Sequence, residues 1–142
     1  NWDKNYHPNK VYSQSKLAQT MFAYGLQDKI QAAGKTVKVY VCHPGASNTS
    51  LIRESASYMT RMSWAFMVKI GVAQTAEKGA YPEVMCATED HLEERAYYGP
   101  TGFMNFGGPV DGSNIGEFVL NKTEQTKLWT LSEKETSFRW SI

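Results

Sequence analysis

The chain has 142 residues, 42% of them hydrophobic and 20% charged, with a formal net charge of +1. That length suits a single domain over 1–142, with apolar residues enough for a core. A balanced charge gives no reason to expect nucleic acid or an anionic membrane as partner.

The longest apolar run, Trp64 to Ala73, is broken by Lys69 and too short for a membrane span. Cys42 and Cys86 are far apart, lack metal-ligand spacing and sit in apolar stretches. Two buried free thiols in a reducing, cytoplasmic compartment are the expectation, with no metal site.

In chain order, the first predicted element is a helix from about Pro8 to Ala33. Pro8 suits a first turn and Gly34 a carboxyl-terminal cap. Val11, Ser15, Ala18, Phe22, Leu26 and Ile30 recur at helical spacing, and Leu17, Met21 and Tyr24 widen that face. Small Ser15, Ala18 and Gly25 leave room for a neighbouring helix.

Within this helix, Tyr12-Ser13-Gln14-Ser15-Lys16 sets a phenol and an ammonium one turn apart on one face. A cation beside a phenol favours the phenolate, which suits a general acid/base. An ordinary solvated pair is the bland alternative. Tyr6 and Lys10 share the spacing, but Pro8 puts Tyr6 ahead of the helix.

Thr36 to Cys42 alternates Val37, Val39 and Val41 with Lys38 and Tyr40, the pattern of a strand. His43-Pro44-Gly45 follows as a sharp turn at its carboxyl end, where parallel crossover units hold ligands. His43 reads as a structural histidine, since no second histidine or carboxylate nearby suggests a metal site or a triad. His7 and His91 carry no signal.

From Ser50 to Val72, Met59, Met62, Phe66 and Ile70 share a helical face with Met67 beside it. Arg53, Arg61 and Lys69 suit the solvent side. Thr75 can cap a helix reaching about Thr88, with Glu77 near its positive end. Pro82 should kink that helix or mark its true start. Tyr97 and Tyr98 read as a short last strand. Residues 101–116 are glycine-rich and read as loop, with Phe103, Met104, Asn105 and Phe106 on the surface or closing over a substrate. A last helix is expected from about Thr123 to Glu135, with Ser132 as an alternative cap for a separate final turn.

Tyr12 to Lys16, the helix after it and the strand-and-turn Val37 to Gly45 together resemble the short-chain dehydrogenase/reductase family, especially its retinol-dehydrogenase-like members. The likeness runs from about Tyr6 to Trp129 and covers only the carboxyl-terminal half of such an enzyme. It implies an α/β fold: the carboxyl-terminal part of a Rossmann-like, doubly wound parallel sheet, incomplete, with flanking helices. The strand around Val39 would then lack one neighbour and leave an open edge.

The resemblance further implies Tyr12 as proton donor and acceptor, with Lys16 activating it and binding the nicotinamide ribose. Pro44, Gly45, Ala46 and Thr49 would line the nicotinamide side of NAD or NADP, and residues 46–74 would form a substrate-binding lid. The substrate would be an apolar alcohol or carbonyl compound, and the helix of Tyr12 would pair with its copy in a homo-oligomer. The chain opens on Asn1-Trp2-Asp3-Lys4 without an initiator Met and holds no G-x-G-x-x-G, so a carboxyl-terminal fragment, inactive alone, is expected. A non-catalytic binding or dimerisation module with the same half-fold is the alternative. A hydrolase using Ser13 or Ser47 has no G-x-S-x-G to support it.

Overall fold

A computed structural model describes residues 6–47, 57–113 and 115–142. In order they form α1 (Pro8–Ala32), β1 (Val41–Cys42), α2 (Tyr58–Lys69), α3 (Ala76–Thr88), β2 (Tyr97–Pro100), a 3-10 turn (Phe103–Asn105), β3 (Val110–Ser113) and α4 (Lys122–Thr136). The residues fall into two compact units, 6–39 with 115–142, and 40–113.

In the first unit α1 begins with Pro8, whose missing amide hydrogen costs nothing in a first turn. It ends where Gly34 takes φ +67°. There the Lys35 amide donates to Ile30 O and the Gly34 amide to Gln31 O, which satisfies carbonyls the helix leaves open. The carboxyl-terminal half of α1 packs on α4. Phe22 and Trp129 stack with ring centroids 4.7 Å apart, and Trp140 lies against both. At Gly25 the helices run close, and a Cβ added there would stand in ordinary contact, 3.8 Å from Gln125 Cβ, so the approach does not depend on glycine. An ion pair joins Lys122 to Asp28 at one margin.

The most buried residues of α1 are Met21, Tyr24, Gln27 and Ile30. The buried stripe thus runs through Met21 and Tyr24, the flank of the expected apolar face, and takes in a glutamine. Gln27 is buried because its Oε1 accepts the Val39 amide at 2.6 Å. The same bond explains a correction. The expected strand over Thr36 to Cys42 shrinks to Val41–Cys42, because Val39 turns its amide to a side chain rather than to a strand. Among the described residues β1 is the end strand of its sheet, paired with β2 alone. The open edge expected around Val39 therefore falls at Val41–Cys42, while the Val39 amide itself is taken by Gln27.

α4 starts on Asn121, whose Oδ1 accepts the amides of Thr123 and Glu124. It runs unbroken to Thr136, so Ser132 caps no separate turn; its hydroxyl donates to Leu128 O instead.

The second unit holds a three-stranded sheet in the order β1-β2-β3. β1 and β2 are parallel, with α2 and α3 in the connection between them, as a crossover unit requires. β3 pairs antiparallel with β2, setting Tyr97 opposite Ser113 and Pro100 opposite Val110. This corrects two expectations: the sheet is mixed rather than all parallel, and Tyr97 and Tyr98 are not in the last strand. Asp111 and Gly112, types depleted in strands, hide β3 within the glycine-rich stretch. The Thr101 amide to Pro109 O and the Gly102 amide to Gly107 O close the hairpin.

α3 is capped by Thr75, whose hydroxyl accepts the Lys78 amide, and Pro82 stands inside it, fully buried. α2 corrects the expected apolar face: Met59, Met62, Phe66 and Ile70 all point to solvent, with Met59 81% exposed. Its covered side carries Trp64, Met67 and Val68. Arg53, expected on the solvent side of this segment, lies outside the described residues.

Replacing Gln27 with Leu keeps the bulk but strands the Val39 amide. A loss of about 1–3 kcal/mol is expected, measured by urea unfolding, with Gln27→Glu losing less because it keeps an acceptor.

Candidate functional site

Tyr12 and Lys16 lie in the first three turns of α1, at i and i+4. Lys16 Nζ stands 5.7 Å from the centroid of the Tyr12 ring, so the two side chains share one side of the helix. Tyr12 is 58% exposed, and Lys16 is also open to solvent. Lys16 Nζ donates to Gln19 Oε1 at 3.1 Å, which steers the ammonium. Gln19 was not singled out from sequence, although its i+3 spacing from Lys16 marks it as a neighbour. Ser15, between the pair, donates to Tyr12 O and leaves the phenol uncovered.

Pro44, Gly45 and Ala46 belong to the other unit and follow β1 directly. Gly45 takes φ +64°, and a Cβ there would come within 2.6 Å of Phe106 O and 2.5 Å of Pro100 Cγ. Only glycine fits, because the turn is pressed under the loop between β2 and β3. The Ala46 amide donates to Phe106 O, and Ala46 O accepts the Gln74 amide. Pro44 O accepts both Ser47 Oγ and Gln74 Nε2. The turn's polar groups are therefore largely engaged within the chain, with the second lone pair of Ala46 O left over. Thr49 lies outside the described residues.

Beside the turn is a cavity of about 370 Å³, walled by Gly45, Ala46, Trp64, Met67, Met104 and Phe106. α2 reaches it through Trp64 and Met67, the side opposite its exposed strip. Met104 and Asn105 both take left-handed backbone angles, with φ of 52° and 58°. Such angles cost of order 1–3 kcal/mol per residue in a non-glycine side chain. No sequence signal announced them. A larger cleft, about 770 Å³, is lined by Val68, Gly71 to Gln74 of the expected lid segment and by Phe103, but by none of Tyr12, Lys16, Pro44, Gly45 or Ala46.

His43 stacks on Tyr97 at 4.7 Å, and its Nδ1 accepts the Gly45 amide at 3.2 Å. The structure thus gives it the structural place the sequence suggested, holding the turn. Burial pushes its pKa below 6.5. Sequence spacing did not show that Cys42 on β1 and Cys86 on α3 come close enough for each thiol to perturb the other. Burial, then the neighbouring thiol, raises Cys42 to about 11.

The fold favours neutral His43, so its contribution to stability is complete above pH 6.5 and is lost as pH falls through the lower folded value. Proton NMR of the His43 ring should give a midpoint below 6.5, with thermal stability declining over that same acid range. A midpoint at or above 6.5 contradicts the buried, neutral ring.

No family model matches the sequence. Retinol dehydrogenase 11 of Homo sapiens is 34% identical over 91 residues, 64% of this chain and 27% of that protein. Retinol dehydrogenase 12 of Homo sapiens is 31% identical over 138 residues, 97% of this chain and 40% of that protein. Short-chain dehydrogenase TIC 32 A, chloroplastic, of Brassica napus is 26% identical over 134 residues, covering 91% of this chain and 37% of its own. The chain thus spans well under half the length of these curated relatives. A crystal structure of an uncharacterized protein from Mycobacterium Paratuberculosis matches all of this chain and 44% of its own, with a TM-score of 0.70 and 24% identity, a likeness of fold alone. The sequence relatives, agreeing over most of the chain, make it a member of the short-chain dehydrogenase/reductase family.

Proposed function

We propose that these 142 residues are the carboxyl-terminal part of a nicotinamide-dependent oxidoreductase that interconverts an alcohol and a carbonyl compound. The observation that carries the reading is the exposed Tyr12–Lys16 pair on one side of α1, in a chain of this family. The Tyr12 hydroxyl gives a proton to the carbonyl oxygen in reduction and takes it from the alcohol in oxidation. Lys16 sets a positive charge beside the phenolate formed when the proton leaves. One of its three hydrogens goes to Gln19, which leaves two for ribose hydroxyls.

NAD or NADP, when bound, supplies the hydride chemistry. Pro44 and Gly45 fit a nicotinamide ring by shape more than by hydrogen bonding, since their polar groups are mostly taken within the chain. Ala46 keeps a carbonyl lone pair for the carboxamide, and Thr49 is assigned to the cofactor by family resemblance. The methionine- and aromatic-walled cavity beside the turn supports an apolar substrate and the lid role for α2. The sheet is then the outer part of a Rossmann-like sheet, and the exposed amino-terminal half of α1 suits a helix of a second copy. One observation favours the alternative of a non-catalytic binding module: the apolar strip Met59, Met62, Phe66 and Ile70 faces solvent.

Two measurements separate these readings. Titrated with reduced nicotinamide cofactor and followed by fluorescence, the 142-residue chain should show no saturation at micromolar concentrations, because it carries no glycine-rich phosphate turn. Micromolar affinity refutes the proposed dependence on a further cofactor-binding part. In an enzyme that joins this chain to such a part, Tyr12→Phe should lower carbonyl reduction by roughly 10²–10⁴-fold. Undiminished turnover in that variant removes the catalytic role and leaves the binding module.

A further inference from the structure

We infer that Cys42 and Cys86 are an oxidisable dithiol, a site at which a small-molecule disulfide installs an internal bond tying β1 to α3. Packing carries this. α3 lies on the sheet against β1 and β2, and brings Cys86 beside Cys42, the last residue of β1. Both thiols are free and half-buried, so a small reagent can reach them while bulk solvent is limited. Neither takes part in the proton transfer proposed above, and the inference is independent of that reading.

The segment from residue 42 to residue 86 holds the Pro44-Gly45 turn and the Trp64 and Met67 walls of the cavity. A bond across its two ends would pin all of them to one closed loop.

The reaction is two thiol–disulfide exchanges with a disulfide such as oxidised glutathione. The thiolate of Cys86, the less buried of the two, attacks one sulfur of the reagent. The reagent's S–S bond breaks and one reagent thiol leaves. Cys42 then attacks the Cys86 sulfur of the mixed disulfide; the Cys42–Cys86 bond forms and the second reagent thiol leaves. Two protein thiols are oxidised, one reagent disulfide is reduced, and the two displaced protons end on the released thiols. The groups facing the pair are Glu83 on α3, Tyr98 on β2 and the partner thiol itself. None is a cation that would lower a thiol pKa, so the exchange is slow at neutral pH and quickens in base.

The test uses the whole reduced chain with oxidised glutathione at pH 7 and pH 9, followed by intact mass and a peptide map. The expected product has lost two hydrogens, links the peptides of Cys42 and Cys86, forms at least tenfold faster at pH 9, and reverts with dithiothreitol. Cys42→Ser should stop at a glutathione adduct on Cys86. The map on the unaltered chain decides the matter even where that variant fails to fold. Two stable glutathione adducts, disulfide-linked dimers, or thiols still reduced at pH 9 each overturn the inference.

Discussion

The second unit depends on how closely Gly45 is pressed against the loop between β2 and β3. No other residue can take φ +64° with Phe106 O and Pro100 at that range. Once this contact is made, the Ala46 amide is committed to Phe106 O, and Gln74 is drawn in through its amide to Ala46 O and its side chain to Pro44 O. That fixes the end of β1, the floor of the cavity and the segment leading into α3. His43 completes the clamp from within by stacking on Tyr97 and holding the Gly45 amide.

In the first unit the corresponding constraint is aromatic. Phe22, Trp129 and Trp140 stack between α1 and the carboxyl-terminal segment, and Lys29 lays its ammonium 4.7 Å from the Trp129 ring centroid. All of these groups meet the later turns of α1. The first turns carry Tyr12 and Lys16 at exposed positions. A helix packed through its later turns thus displays two chemically useful side chains on its early ones, in a geometry set by the helical backbone and by the hydrogen bond from Lys16 to Gln19.

Helices were legible in the sequence because their start and stop residues are chemically distinctive. Pro8 and Gly34 bracket α1 and Thr75 caps α3, whereas the Asn121 cap of α4 emerged only in the structure. The parallel relation of β1 and β2 was implied by the family resemblance, and the helical segments between them agree with it. β3 was not legible, because Asp111-Gly112 carries no strand preference and pairs only once the hairpin has closed. The short reach of β1 was hidden too. It depends on one glutamine side chain, and nothing in residues 36–40 reveals that Gln27 will compete for the Val39 amide. On α2 the apolar period was real, yet period alone does not say which side faces the body. Of the site, the Tyr12–Lys16 juxtaposition was legible from helix geometry. The meeting of Cys42 with Cys86 was not, because it depends on how a helix lies on a sheet.

Met104 and Asn105 show what a backbone can do without packing. The hydrogen bonds of Thr101 and Gly102 to Pro109 and Gly107 tie the ends of their loop on either side of the left-handed excursion. A thioether is normally placed by what surrounds it. Here Met104 is 66% exposed, and its main chain sets where the side chain leaves the loop. Asparagine tolerates this conformation and methionine does not, so a glycine at residue 104 would relax the loop and lose the pointer. The tip of the hairpin is tied at both ends and sets Met104 on the wall of the neighbouring hollow, where a thioether can adapt to the outline of what enters.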